Sequence, residues 1–154
     1  MAKKIFVING PNLNLLGRRE PEIYGHESLE DIAVLCRKVG NAHNLLIDFR
    51  QSNHEGQIVD WIQEAIGNVD AIVINAAAYT HTSVAIHDAL RAYNGYKVEL
   101  HISNPHLRES FRHTSYVSTA VDAIVAGLGT MAYELVIELV HDVLRNSTKP
   151  RSAL

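Results

Sequence analysis

Short apolar runs alternate along the chain with stretches in which apolar side chains recur every three or four positions. Runs of four or five residues are too short to be helices and are bounded by turn formers, so they read as strands buried on both faces. They fall at residues 5–8, 45–49, 71–74, 98–102 and 123–126. The stretches between them read as amphipathic helices. Ser28-Leu29-Glu30-Asp31 opens the first as a capping box, and the helix runs to about Val39. A second is expected to start in the same way at Ser52-Asn53-His54-Glu55, to bury Ile58, Trp61, Ile62, Ala65 and Ile66, and to stop near a left-handed Gly67. A third covers about 83–93. The last follows Gly129-Thr130, presents Leu135, Val136, Leu139, Val140 and Val143 on one face, and ends before Asn146. Strict alternation of strand and helix predicts an α/β fold, an open doubly wound five-stranded parallel sheet with helices on both faces. The whole of 1–154 is expected to be one domain, with a mobile tail at 147–154.

Composition narrows the class of ligand. With 154 residues and 47% hydrophobic content the chain can bury one core of ordinary size. A net charge of −3, without basic runs interleaved with aromatics, argues against nucleic acid and for a small molecule. The single cysteine, Cys36, lies in register with Leu29, Ile32, Ala33 and Val39, so it is expected in the core. No disulfide framework is possible, which suits a reducing compartment. Met1-Ala2-Lys3-Lys4 leads into an apolar strand too short for a signal peptide or a membrane span. A cytoplasmic protein without membrane association is therefore expected.

Open α/β sheets bind ligands beyond the carboxyl ends of their strands, and here those positions are polar. Asn9-Gly10-Pro11-Asn12 follows the first strand, Asn75 leads to His81 after the third, and Glu99, His101, Ser103 and Asn104 lead on to Arg108 and Arg112 around the fourth. Glu99 and His101 are two apart on a strand and face the same side, so the carboxylate can orient the ring and favour its protonated form, as a general acid requires. A purely structural Glu–His pair would look the same, and His81 could join both as a third metal ligand. Asn12 and Asn75 can hold a carbonyl, hydroxyl or water, or serve as turn formers. Arg108 and Arg112, four apart in a helix-like stretch, can face one anionic or polyhydroxylated ligand, or solvent.

A further candidate lies in the glycine-bracketed loop Gly17-Arg18-Arg19-Glu20-Pro21-Glu22-Ile23-Tyr24-Gly25. Free tyrosine has a pKa of ~10, so only about one in a thousand is ionised near neutrality, and roughly 4 kcal/mol of cation stabilisation closes that gap. Two neighbouring guanidiniums can supply it; a solvated basic loop anchored by its tyrosine is the plain alternative. The chain has no GxGxxG and no GxxxxGK[ST], so nucleotide binding is poorly supported. None of Lys3, Lys4, Lys38, Lys97 and Lys149 falls at the ligand edge, so carbonyl chemistry would run through an enolate and not a Schiff base.

Together, Gly10-Pro11-Asn12-Leu13-Asn14-Leu15-Leu16-Gly17-Arg18-Arg19-Glu20-Pro21 with Tyr24-Gly25, Asn75 through Thr80-His81-Thr82-Ser83, and Val98-Glu99-Leu100-His101-Ile102-Ser103-Asn104 resemble the type II 3-dehydroquinase family. The likeness extends through Arg108 to Arg112 and Gly127-Leu128-Gly129, nearly the whole chain. It implies a flavodoxin-like fold, no cofactor and no metal, and dehydration of 3-dehydroquinate to 3-dehydroshikimate in the shikimate pathway or in quinate breakdown. Carried over by position, it implies that Tyr24 is the base, with Arg19 lowering its pKa and Arg18 assisting. Asn12 would hold a water against the enolate oxygen, and His101, paired with Glu99, would protonate the departing hydroxyl. Asn75, Ser103 and the N–H groups of Ile102 and Ser103 would grip the substrate carboxylate and a neighbouring hydroxyl, with His81 and Arg112 on the other hydroxyls. Asp88 would reach a neighbouring subunit's site in a homo-oligomer, a dodecamer built of trimers. Two departures stand out: Ala76-Ala77-Ala78 where the family more often has proline or glycine, and His87 before Asp88 where arginine is common. Two readings from other classes remain, a flavodoxin-like binding or signalling domain and a metal-dependent hydrolase using His81, Glu99 and His101.

Overall fold

The computed structural model describes residues 1–18, 20–24 and 26–146, with Tyr24 described by its backbone alone. The tail expected to be mobile at 147–154 lies outside the described residues. Strands β1 (Lys3–Asn9), β2 (Leu45–Gln51), β3 (Ala71–Asn75), β4 (Tyr96–His101) and β5 (Ala123–Ala126) form a parallel sheet in the order β2-β1-β3-β4-β5. Helices are α1 (Pro21–Tyr24), α2 (Leu29–Ala42), α3 (Glu55–Ala65), α4 (Val84–Ala92) and α5 (Met131–Arg145). None of the described helices is long and apolar enough to cross a membrane.

The two-residue side-chain period of the strands builds two cores. Ile5, Val7, Val73, Val98 and Leu100 pack with Ile32 and Cys36 of α2 and with Val136 and Val140 of α5. Phe6, Ile8, Ile72 and Ile74 pack on the other face with Ile58 and Ile62 of α3 and with Ile86 and Leu90 of α4. Cys36 is fully buried, as its helical register predicts, and burial pushes its thiol up to about 12. Ser28 caps α2 as the capping box requires: its hydroxyl accepts from the Asp31 N–H at 3.1 Å, and the Asp31 carboxylate accepts from the Ser28 N–H at 3.0 Å.

Four local expectations are corrected. Ser52 does not cap α3; the N-cap is His54, without a side-chain cap. Ser52 stands two residues earlier, so its hydroxyl accepts from the His54 N–H and donates to Gln57. Ile66 lies past the helix and is exposed, and Trp61 is only half-buried, whereas Gly67 turns left-handed at φ 76° as expected. The buried stripe of α5 runs through Ala132, Tyr133, Val136, Ile137 and Val140, leaving Leu135 exposed, because Tyr133 finds hydrogen-bond partners beneath the sheet edge. The fourth strand begins at Tyr96 and stops at His101, leaving Ile102 outside. Its early residue Lys97 is buried because the ammonium donates to the carbonyls of Leu90 and Tyr93 at the end of α4.

Strand order reverses between β1 and β3, whose register sets Asn9 beside Asn75 at the carboxyl edge. The loops leaving these two strands touch at Gly10, whose N–H donates to the Asn75 carbonyl at 2.8 Å. A β-carbon on Gly10 would sit 2.3 Å from the Ala76 carbonyl oxygen, a backbone atom that cannot rotate aside. Gly10→Ala should therefore cost about 1–3 kcal/mol or more of stability. Thermal unfolding checks this, and an unchanged Tm would show that the two loops separate freely.

Candidate active site

Loops leaving β1, β3 and β4 enclose one pocket. The first contributes Pro11, Asn12, Leu13, Leu15 and Leu16, and the second Asn75, Ala77, Ala78 and His81. His101, Ile102, Ser103, Pro105, Arg108 and Arg112 complete it. The expected residues Asn12, Asn75, His81, His101, Ile102, Ser103 and Arg112 thus share one cavity. Glu99 stands behind His101, and Asp88 is not among the lining residues. Arg19 and the Tyr24 side chain lie outside the described residues.

Glu99 is 0% exposed and points with His101 to the α3 and α4 side of the sheet, as its strand register dictates. Its Oε2 accepts from His101 Nε2 at 2.7 Å, from Thr80 Oγ1 at 2.6 Å and from Ser115 Oγ at 2.8 Å, while Oε1 accepts from Ser118 Oγ. Burial works to raise its pKa, but the hydrogen bond and charge of His101, followed by the hydroxyls of Ser118 and Thr80, bring it down to about 2. An ionised carboxylate only accepts, so Nε2 of His101 donates, and Nδ1 is the nitrogen left for other partners.

His81 is oriented differently. Its Nδ1 lies 2.8 Å from the Thr114 carbonyl oxygen, which can only accept, so Nδ1 carries the proton. Burial lowers its pKa, with the Thr114 carbonyl opposing, and the neutral ring offers Nε2 as an acceptor suited to a ligand hydroxyl.

The loop after β1 enters through Asn12 in the left-handed region at φ 69°, with its N–H donating to Asn53 Oδ1 at 2.9 Å. Asparagine tolerates that conformation; Ala77, at φ 51° across the pocket, does so at a cost of roughly 1–2 kcal/mol. After β4, the Ile102 carbonyl accepts from the Gly129 N–H at 3.0 Å. The Ser103 N–H of the same planar peptide is thereby directed to the opposite side. Arg108 and Arg112 do not share a helix. Arg108 follows the 3-10 turn Pro105–Leu107 as its C-cap and Arg112 ends the separate turn Ser110–Arg112, yet both line the pocket. Arg112 Nε is held by Glu109 at 2.6 Å. Among the described residues no group of three or more His, Cys, Asp or Glu side chains is arranged to hold a metal ion.

A family model for class II dehydroquinase matches residues 3–141. The chain belongs to the class II dehydroquinase family. It is 52% identical over 146 residues to the 3-dehydroquinate dehydratase of Bartonella tribocorum, covering 95% of this chain and 98% of the relative. It is 58% identical over 137 residues to that of Streptomyces coelicolor, covering 88% and 87%. The crystal structure of the type II dehydroquinase from Propionibacterium acnes superimposes with a TM-score of 0.89 at 42% identity, covering 92% of this chain and 98% of that one.

Sequence reasoning about this member of the dehydroquinase family missed Thr80, Ser115, Ser118 and Tyr133, all of which bond to candidate site residues. Only Thr80 carried a signal, standing beside His81. A carboxyl held near pH 2 stabilises the fold fully above its unfolded value near 4.5, and that stabilisation disappears as pH falls toward about 2. The depression corresponds to about 3 kcal/mol. Urea unfolding at a series of pH values should therefore show Glu99→Gln losing less stability than the parent between about pH 5 and pH 2. Parallel stability curves would mean that Glu99 does not drive acid unfolding.

Proposed function

We propose that this chain dehydrates 3-dehydroquinate to 3-dehydroshikimate by anti elimination through an enolate, with Tyr24 as the base and His101 as the acid. The observation that carries the reading is His101 anchored by a buried carboxylate in a pocket that also holds Asn12, Asn75, Ser103 and two arginines. Tyr24, its pKa lowered by Arg19 with help from Arg18, removes the proton next to the ketone. A water held by Asn12 stabilises the enolate oxygen. Collapse of the enolate forms the carbon–carbon double bond and breaks the carbon–oxygen bond, while His101 in its imidazolium form gives the Nδ1 proton to the departing hydroxyl. One proton is taken and one is given, and water leaves. Ser103, Asn75 and the N–H groups of Ile102 and Ser103 hold the carboxylate and a neighbouring hydroxyl, while His81 Nε2 and Arg112 hold the others.

The reaction serves the shikimate pathway or quinate breakdown, in the cytoplasm. Mixing the protein with 3-dehydroquinate should produce the ultraviolet absorbance of a conjugated enone, and its absence would overturn the reading. Tyr24→Phe should lose at least ~10²-fold in turnover while keeping the fold, since it removes the general base. Near-normal turnover would remove Tyr24 from the mechanism.

The enzyme works as a homo-oligomer, a dodecamer built of trimers, in which Asp88 completes a neighbour's site. The Asp88 side chain is 71% exposed on α4 and lies 3.1 Å from His87 Nδ1. Exposed Ile124 on edge strand β5, together with exposed Leu128, Met131 and Leu135, supports self-association. Mixing Asp88→Ala with Tyr24→Phe protein should restore activity through sites that draw each residue from an intact source. A fully active monomer, or no recovery despite proven subunit exchange, would reject the shared site.

A further inference from the structure

Three buried side chains run in a line from the pocket wall across the sheet edge: Asn75, Tyr133 and Asn9, exposed by 4%, 1% and 0%. Asn75 Nδ2 donates to Tyr133 Oη at 3.1 Å, Tyr133 Oη donates to Asn9 Oδ1 at 2.7 Å, and Asn9 Nδ2 donates to the Arg50 carbonyl at 3.0 Å. At the pocket end the Ala77 N–H donates to Asn75 Oδ1 at 3.2 Å. Of the three, only Asn75 lines the pocket.

Both ends of this line are backbone groups, and they set the direction of every bond between them. The Arg50 carbonyl can only accept, so Asn9 turns its NH2 toward it and its oxygen toward Tyr133. The hydroxyl's one proton then goes to Asn9, and its oxygen faces Asn75 as an acceptor. The Ala77 N–H can only donate, and it demands the same orientation of the Asn75 amide from the other side. Burial pushes the Tyr133 pKa upward, so the proton on which this polarity depends is retained. An amide that elsewhere could flip is held in one sense, with one of its two NH2 protons committed to Tyr133.

We propose that Tyr133 is a positioning residue whose hydroxyl, oriented by Asn9, locks the Asn75 amide so that its second N–H serves as a fixed donor to an acceptor oxygen of the substrate. The inference rests on the dehydratase reading for its kinetic test. Without Tyr133 the Asn75 amide is held by the Ala77 N–H at its oxygen end and can swing about that bond, so a carboxylate or hydroxyl oxygen at that point loses a pre-aimed partner. Asn9 is the more telling position, because it can act on the substrate only through Tyr133 and Asn75.

The test is steady-state kinetics with 3-dehydroquinate on Tyr133→Phe, Asn9→Ala, Asn75→Ala and the double variants that combine Asn75→Ala with each of the others. Tyr133→Phe and Asn9→Ala should each raise KM about tenfold, as for loss of one oriented hydrogen bond, with kcat within about twofold. Neither should add to the effect of Asn75→Ala, because all act through one amide. An unchanged KM in Tyr133→Phe and Asn9→Ala, even with a lowered Tm, or effects that add to Asn75→Ala, would overturn the proposal and leave Tyr133 a packing residue. If Tyr133→Phe fails to fold, Asn9→Ala decides alone. If the parent shows no turnover the dehydratase reading fails, and NMR of the Asn75 side-chain NH2 then decides: protons slow to exchange in the parent and fast in Tyr133→Phe or Asn9→Ala support the lock, and equal exchange overturns it.

Discussion

A carboxylate with no solvent exposure costs several kcal/mol unless other donors replace its water, and Glu99 is such a group at the heart of the site. Its donors arrive from three segments: Thr80 from the loop after β3, His101 from the end of β4, and Ser115 and Ser118 from the stretch returning to β5. Satisfying one charge therefore draws three loops together. Thr80 brings His81, and Ser115 brings the Thr114 carbonyl that selects the His81 tautomer. The Tyr116 N–H closes the arrangement on the Thr80 carbonyl at 2.8 Å. Both pocket-lining imidazoles owe their orientation to the need to solvate this carboxylate.

The parallel sheet supplies what that charge cannot. Register sets Asn9, Gln51 and Asn75 level at the carboxyl edge, and β4 carries Glu99 and His101 alongside and beyond it. Left-handed residues then turn the chain sharply on two sides of the opening, at Asn12 and Ala77. The arginines stand on the far wall, on a loop stiffened by paired 3-10 turns and by the Asn104 side chain accepting from the His106 N–H.

The fold was legible because strands buried on both faces write themselves as apolar runs, and the helices between them keep a 3.6-residue stripe. Where legibility failed, a polar group had been buried with partners. Lys97 hid the start of β4, and Tyr133 shifted the buried face of α5, since neither side chain announces its partners by spacing. Glu99 and His101 could be paired from the two-residue period alone. Ser115 and Ser118 could not be assigned to them, because serines in a loop look alike until tertiary contacts single out two. The split of Arg108 and Arg112 onto separate turns was equally invisible, as four-residue spacing suits a helix as well as two tight bends.

Ala77, left-handed at φ 51°, sets backbone strain against chain freedom. Glycine at 77 would relax the backbone by roughly 1–2 kcal/mol. It would also widen the unfolded ensemble, and restricting that extra freedom on folding costs roughly 0.5–1 kcal/mol. The first effect exceeds the second by about 0.5–1 kcal/mol, so glycine is favoured for stability by a small margin only. What alanine changes is the width of the local energy well: a loop with fewer alternative conformations to visit holds the Ala77 N–H in place as an anchor for the asparagine beside it.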